Sequence, residues 1–319
     1  MLAVILDADT MGADIDFSPI TDICKTHIYN STSPEKIRER IENADIVILN
    51  KVELREENLR FAKKLSLICV FAVGYNNIDI NYCRARGISV RNVPGYCTES
   101  VSQHTFALLF SLIENMRYYD DFVKMGKYSE SGTANHIGKP FYEIAGKKWG
   151  IIGMGAIGRR VAEIASCFGA KVIYCSISGV SREEKYENIP FDKLLTESDI
   201  ISVHAPLNEK TAGLIGEKEF ELMKKSAVFI NVGRGAITDE KALADAVIKG
   251  RIAGAAIDVY SEEPPEISSP LMLCQSEKIV FTPHIAWASV EARKKCVEMT
   301  AENIMAFKKG DSLHDVCNS

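Results

Sequence analysis

Residues 149–178 constrain the fold more tightly than any other stretch of this chain. Trp149-Gly150-Ile151-Ile152 is an apolar run suited to a buried strand, and Gly153-Met154-Gly155-Ala156-Ile157-Gly158 then spells G-x-G-x-x-G. That pattern carries meaning only between a strand and a helix, which is where it stands. The first glycine permits a tight turn, the second lets backbone approach a pyrophosphate, and the third lets the helix pack closely on the strand. Ile157, Val161, Ile164, Ala165 and Phe168 recur at helical spacing, Gly169 stands where a helix stops, and residues 171–174 begin a second strand. The result is a complete βαβ unit whose helix N-terminus offers free N–H groups to phosphates. A Rossmann-type dinucleotide-binding fold is the expectation.

At the end of the second strand, a binder of NAD usually carries an acid that accepts from the adenosine ribose hydroxyls. Here the position falls on Ser176, in Tyr174-Cys175-Ser176-Ile177-Ser178-Gly179, with Arg182 close by. A carboxylate would repel a 2′-phosphate, whereas Ser176 and Ser178 can donate to one. NADP, or dual use, is therefore expected; the plainer alternative is that the serines close a turn and backbone binds the ribose.

A chain of 319 residues exceeds what one core usually fills, so two domains are expected. The net charge of -5, with acids and bases interspersed, excludes the electrostatic footprint of a nucleic-acid binder. The apolar opening, residues 1–6, is short and meets Asp7 and Asp9, which fits a first buried strand better than a signal peptide. No apolar run is long enough to span a bilayer. The 9 cysteines form no C-x-x-C pair and read as buried hydrophobes of a reducing compartment. A cytoplasmic protein with no membrane or nucleic-acid partner is expected, and no spacing suits a metal.

Short apolar runs alternate with amphipathic ones over 2–6, 34–43, 46–49, 54–64, 65–73, 80–86 and 88–93, the rhythm of a parallel α/β lobe. A long helix from Glu99 towards Met125 should carry the chain into the nucleotide-binding lobe. The polar, aperiodic stretch 127–143 reads as a loop or arm. Strands are expected at 200–203, 227–231, 253–258 and 278–281, with helices near 217–225 and 239–249. A last amphipathic helix, 289–309, returns to the first lobe. The expected division is a substrate-binding domain of residues 1–99 and 286–319, and a dinucleotide-binding domain of residues 100–285.

In doubly wound sheets, ligands bind beyond the carboxyl ends of the strands. Three expected strands end in Asn231-Val232-Gly233-Arg234-Gly235, in Asp258-Val259-Tyr260-Ser261-Glu262-Glu263-Pro264, and in Thr282-Pro283-His284. Arg, Glu and His thus arrive at one edge, and this trio suits hydride transfer at a carbon beside a carboxylate. The planar guanidinium of Arg can hold the carboxylate and polarise the carbonyl. A His exchanges a proton near neutral pH, and a carboxylate beside it orients the ring. Taken singly, Arg234 could cap a strand end, Glu263 could be a solvated acid, and His284 a satisfied core histidine. His104 is expected to pack near a hinge rather than react.

In this order the motifs resemble the D-isomer-specific 2-hydroxy acid dehydrogenase family over essentially the full length. They are residues 150–158, Val203-His204-Ala205-Pro206-Leu207, residues 231–235, Asp258-Val259-Tyr260 with Glu263-Pro264, and Thr282-Pro283-His284. The resemblance implies an α/β protein of two domains, a Rossmann-type doubly wound parallel sheet plus a flavodoxin-like, discontinuous substrate domain. It implies NAD(P)-dependent interconversion of a small 2-keto acid and its D-2-hydroxy acid. Arg234 would bind substrate, Glu263 would partner the histidine, and His284 would be the general acid/base. The backbone of Val73 and Gly74 would receive the substrate carboxylate. Gly153, Met154, Gly155, Ala156, Ile157, Gly158, Ser176, His204, Ala205, Pro206, Thr211, Val232, Gly233, Asp258 and Ala286 would line the cofactor, Asp258 near the nicotinamide amide.

Asn50-Lys51 and His284-Ile285-Ala286-Trp287 resemble the glycerate dehydrogenase and hydroxypyruvate or glyoxylate reductase branch, with Lys51 adding positive charge and Trp287 bounding the site. D-lactate-type or branched-chain acids are the alternative substrates. Phosphoglycerate is disfavoured, the chain ending near Ser319 without an extra regulatory domain. A homodimer is implied, with the long helix and the 127–143 arm as contact candidates. The rival from another class is a dinucleotide-sensing binding protein that keeps the fold without the chemistry.

Overall fold

The computed structural model describes residues 1–177 and 185–317; Ser178, Gly179 and Arg182, invoked above beside Ser176, lie outside the described residues. The chain divides into two compact units, Met1–Cys97 together with the segment from Trp287 onward, and Thr98–Ala286.

The first unit is built on five parallel strands, β1 (Leu2–Ile5), β2 (Lys25–Ile28), β3 (Ile46–Leu49), β4 (Leu67–Val70) and β5 (Ser89–Arg91), in the order β2-β1-β3-β4-β5. That order is flavodoxin-like, with its switch point between β1 and β3. β3 and β4 are buried throughout, which is why they read as unbroken apolar runs rather than alternating ones. β2 was not anticipated: Lys-Thr-His-Ile lies at the sheet edge with largely exposed side chains, so it carries no apolar period. The helix Val290–Lys308 starts at Ser289, whose hydroxyl accepts from the Ala292 N–H at 3.2 Å. It is tied to the first unit by Asn303 Nδ2 donating to Asn92 O at 2.8 Å and by Arg293 donating to Met11 O at 2.8 Å.

Among the described residues, the second unit holds seven parallel strands, β6 (Lys148–Ile152), β7 (Lys171–Cys175), β8 (Glu187–Asn188), β9 (Ile200–Val203), β10 (Val228–Asn231), β11 (Gly254–Ile257) and β12 (Ile279–Phe281). Their order, β12-β11-β10-β9-β6-β7-β8, is the Rossmann order extended by one strand, with the switch point between β6 and β9. β8 is two polar residues long and gave no strand signal.

The single long helix expected from Glu99 is instead two helices, Thr98–Ile113 and Met116–Lys124. They part at Asn115, which takes the left-handed conformation at φ 50° and donates its side-chain amide to Pro140 O at 3.1 Å. The arm that follows contains a short helix, Lys127–Glu130, rather than loop alone. The unit boundaries also differ by a residue or two from those expected. Thr98 and Glu99 open the helix of the second unit, and Ala286 stays with that unit because its N–H donates to the Asp258 carboxylate at 2.9 Å and its carbonyl accepts from Ser100 Oγ at 2.7 Å.

Candidate active site

The glycine fingerprint forms the turn between β6 and the helix Ala156–Cys167. Gly153 sits at φ 96°, and a Cβ there would lie 2.8 Å from the Ala205 backbone, so glycine is required twice over. A Cβ on Gly158 would lie 2.2 Å from Gly153 O, which is the close helix-to-turn packing expected of the third glycine. Gly155 is different. A Cβ there would meet no protein atom within 4 Å, so the fold itself places no demand on this position. The space in front of it is open, and a pyrophosphate laid on the helix N-terminus, for which Gly155 is the cap residue, would fill it. The cradle therefore fits a dinucleotide, with Gly153–Gly158 positioned to hold the phosphates.

Across the switch point, β9 delivers His204, Ala205 and Pro206, and His204 N–H donates to Ile152 O at 2.8 Å. His204 Nε2 lies 2.9 Å from Ser202 Oγ, which also accepts from Trp149 Nε1 at 2.9 Å. Its Nδ1 is buried with no hydrogen-bond partner among the described residues. Burial pushes the imidazole down to a pKa of about 3, so the ring is neutral at working pH. Thr211, expected to line the cofactor, is buried, and its hydroxyl donates to Pro206 O at 2.7 Å and accepts from Asn208 N–H at 2.8 Å. It shapes the loop from within. Ser176 follows β7 directly and is half-buried. Met154, Ala205 and Val232 are buried, whereas Ala156 and Pro206 are exposed.

The reacting groups stand beyond β10, β11 and β12. Asn231, at the end of β10 and 1% exposed, organises the first loop: Oδ1 accepts from Gly233 N–H at 3.0 Å, while Nδ2 donates to Arg234 O at 3.0 Å and to Thr238 Oγ1 at 3.2 Å. Arg234 is extended and half-buried, its Nη1 donating to Gly233 O at 2.8 Å. Next to it, a Cβ on Gly235 would lie 1.8 Å from the carbonyl carbon of Tyr260, so the Arg234 loop is pressed against the loop after β11. In that second loop Glu263 Oε1 accepts from Tyr260 N–H at 3.2 Å, and Oε2 lies 2.6 Å from His284 Nδ1. The glutamate and the histidine thus meet directly, and the arginine loop packs against the loop that carries the glutamate.

His284 adopts φ 54°, a left-handed conformation uncommon for a residue with a side chain. Asp258 holds it there. The Asp258 carbonyl accepts from His284 N–H at 2.8 Å, and its fully buried carboxylate accepts from Thr282 Oγ1 at 2.6 Å, Ile285 N–H at 2.9 Å and Ala286 N–H at 2.9 Å. The Asp258 carboxylate, expected near the nicotinamide amide, also ties down the 282–286 turn. His104 Nε2 lies 3.1 Å from Thr282 Oγ1, behind that turn, and burial lowers its pKa despite the nearby Asp258. It is a buttress for the turn.

Lys51, Val73, Gly74 and Trp287 belong to the first unit. Lys51 follows β3 and is exposed, while the N–H groups of Asn50, Lys51 and Val52 converge on the Asp7 carboxylate at 2.6 to 3.1 Å. Burial raises the Asp7 pKa, and those backbone donors oppose the rise. A cavity of about 710 Å³ opens there, at the carboxyl ends of β1, β2 and β3, with Asp7, Thr10, Thr32, Lys51 and Val52 in its wall. Val73 is 40% exposed, high for a valine, and its carbonyl accepts from Asn92 Nδ2 at 2.7 Å. Trp287 meets Tyr96 edge-on at 6.3 Å between ring centres.

Asn231, Asp7 and Ser202 were missed in the sequence. Asp7 and Asn231 end or follow an apolar run, a signal easily taken for a strand terminus, and Ser202 stands inside the strand Ile200–Val203. Among the described residues, no group of three or more His, Cys, Asp or Glu is placed to hold a metal ion, and no helix is long and apolar enough to cross a membrane.

Residues 106–286 match the family model of the D-isomer specific 2-hydroxyacid dehydrogenase NAD binding domain. The chain is 40% identical over 291 residues to a glyoxylate reductase of Thermococcus litoralis, covering 89% of this chain and 85% of that protein. It is 33% identical over 322 residues to a hydroxypyruvate reductase of Blautia hydrogenotrophica, covering 99% of both. Among solved structures, the D-lactate dehydrogenase of Aquifex aeolicus, complexed with NAD and lactic acid, matches with a TM-score of 0.83 at 29% identity, over 98% of this chain and 96% of that one.

Proposed function

The chain belongs to the D-isomer specific 2-hydroxyacid dehydrogenase family, whose members are NAD(P)-dependent oxidoreductases, and on that premise we propose that it reduces hydroxypyruvate or glyoxylate to D-glycerate or glycolate. The observation that carries the mechanism is the 2.6 Å contact between His284 Nδ1 and Glu263 Oε2. Glu263 accepts a hydrogen bond from Nδ1–H, which leaves Nε2 as the nitrogen that exchanges with substrate. In the reduction, imidazolium His284 gives its Nε2 proton to the carbonyl oxygen as the carbon becomes tetrahedral. In the reverse direction neutral His284 takes the hydroxyl proton at the same atom, and Glu263 stabilises the cation that results. Arg234 grips the substrate carboxylate and draws charge onto the carbonyl oxygen with its planar donors. When bound at Gly153–Gly158, the reduced nicotinamide supplies the hydride.

The preference for hydroxypyruvate and glyoxylate is supported by the named activities of the two relatives, and the exposed Lys51 suits an anionic substrate. The reading that NADP is preferred rests on Ser176, which presents no carboxylate to repel a 2′-phosphate. Initial rates with hydroxypyruvate, glyoxylate and pyruvate, each with NADPH and NADH, test both points. The two larger-turnover acids should be hydroxypyruvate and glyoxylate, with NADPH ahead of NADH; strict use of NADH would overturn the Ser176 reading, and fast turnover of pyruvate alone would move the substrate to the D-lactate class.

The same reading includes a homodimer. The helix Met116–Lys124 has no buried residue, and Val123, Met125, Ile137, Phe141 and Tyr142 are each more than half exposed along it and the arm that follows. These exposed apolar side chains support a protein-protein contact there. Sedimentation equilibrium should return twice the chain mass, and a Met125→Asp, Ile137→Asp variant should return the mass of one chain; a monomeric wild type would exclude the dimer.

A further inference from the structure

We infer that the buried chain Trp149–Ser202–His204 holds His204 in the tautomer protonated at Nδ1, making that N–H a hydrogen-bond donor to an oxygen of the bound dinucleotide. The inference rests on the dinucleotide reading of the cleft and adds two positioning residues, Trp149 and Ser202, that touch no ligand themselves.

The direction of the chain follows from donor chemistry. Trp149 Nε1 can only donate, so at 2.9 Å it makes Ser202 Oγ the acceptor. Ser202 is fully buried, and its hydroxyl proton must find an acceptor of its own. His204 Nε2 at 2.9 Å is the one such atom among the described residues. Nε2 is therefore bare, and the proton of the neutral ring stands on Nδ1. The opposite tautomer would leave both the Ser202 hydroxyl proton and the Nδ1 lone pair unsatisfied, two buried polar defects in place of one.

The remaining defect is informative. Nδ1 is buried and unpartnered, and a buried donor without an acceptor is rare in a native protein. The His204 main chain runs beside the fingerprint turn, where a Cβ on Gly153 would come within 2.9 Å of its carbonyl carbon. An acceptor-rich ligand seated on that turn relieves the defect, and a dinucleotide carries ribose, phosphate and amide oxygens.

The experiment combines nitrogen-15 NMR of the histidine rings in the ligand-free protein with titration of NADPH and NADH followed by nicotinamide fluorescence. Wild-type His204, assigned by loss of its signals in His204→Asn, should show a protonated Nδ1 and a bare Nε2. In Ser202→Ala that preference should disappear and dinucleotide affinity should fall about fivefold, the effect of one ordinary hydrogen bond. Ser202→Thr, which keeps the hydroxyl, should restore both. A protonated Nε2 in the wild type overturns the inference whether or not the variants fold, as does a Ser202→Ala protein with altered tautomer and unaltered affinity. A wild type that binds neither dinucleotide overturns the dinucleotide reading, and with it the donor role, while the tautomer measurement still stands alone.

Discussion

Replacing His284 with alanine should lower kcat by roughly 10²–10⁴, the usual worth of a positioned general acid, while dinucleotide affinity stays within about twofold. The two effects separate because the residues assigned to the phosphates, Gly153 to Gly158, share no hydrogen bond with the His284 ring. The expected loss lies in kcat rather than KM, since substrate is held by Arg234 and the lost proton matters only in the transition state. Glu263→Gln is the graded companion. It keeps an acceptor oxygen near Nδ1 but removes the negative charge beside the ring, so its kcat should lie between wild type and His284→Ala. A His284→Ala protein of undiminished kcat would remove the histidine from the chemistry.

Gly235→Ala should be the most damaging single methyl in the second unit. The added carbon would lie 1.8 Å from the carbonyl carbon, 2.0 Å from the carbonyl oxygen of Tyr260 and 2.3 Å from Ser261 N. All three are backbone atoms, so no rotamer change relieves the overlap, and one of the two loops must move. Overpacking typically costs about 1–3 kcal/mol, and a clash between main chains belongs at the upper end. For a chain of 319 residues, at about 2.1 cal/mol/K of unfolding entropy per residue, that corresponds to a fall in melting temperature of roughly 4–5 °C. Activity should drop with it at temperatures where the variant is folded, because the same movement carries Arg234 away from the loop that holds Glu263. Calorimetry and steady-state kinetics on one preparation check both parts. An unchanged melting temperature would mean the two loops do not touch as described.

The two sheets were legible because parallel strands buried on both faces leave unbroken apolar runs, as in Ile46–Leu49 and Leu67–Val70. The fingerprint was legible because three glycines at fixed spacing answer three separate geometric demands. β2 and β8 were not, since an edge strand with exposed side chains has no apolar period to read. The break at Asn115 was also hidden: the apolar spacing runs on past it, and only the left-handed backbone of one asparagine divides the helix.

For the candidate site, strand ends pointed to Arg234, Glu263 and His284 because ionisable residues beyond β10, β11 and β12 converge by topology alone. The supporting residues were beyond reach. Asn231 acts through hydrogen bonds to its own loop, and Asp258 through a turn 24 to 28 residues away in sequence. Such roles depend on which atoms meet, and residue type does not reveal them.

The most direct test of the account is the configuration of the glycerate formed from hydroxypyruvate by the wild-type protein with NADPH or NADH, read by chiral chromatography. D-glycerate, formed in step with cofactor oxidation and lost in His284→Ala, is the expected product. L-glycerate, a racemate, or cofactor oxidation without glycerate would contradict the assignment of Arg234, Glu263 and His284 as the machinery of a D-specific reduction.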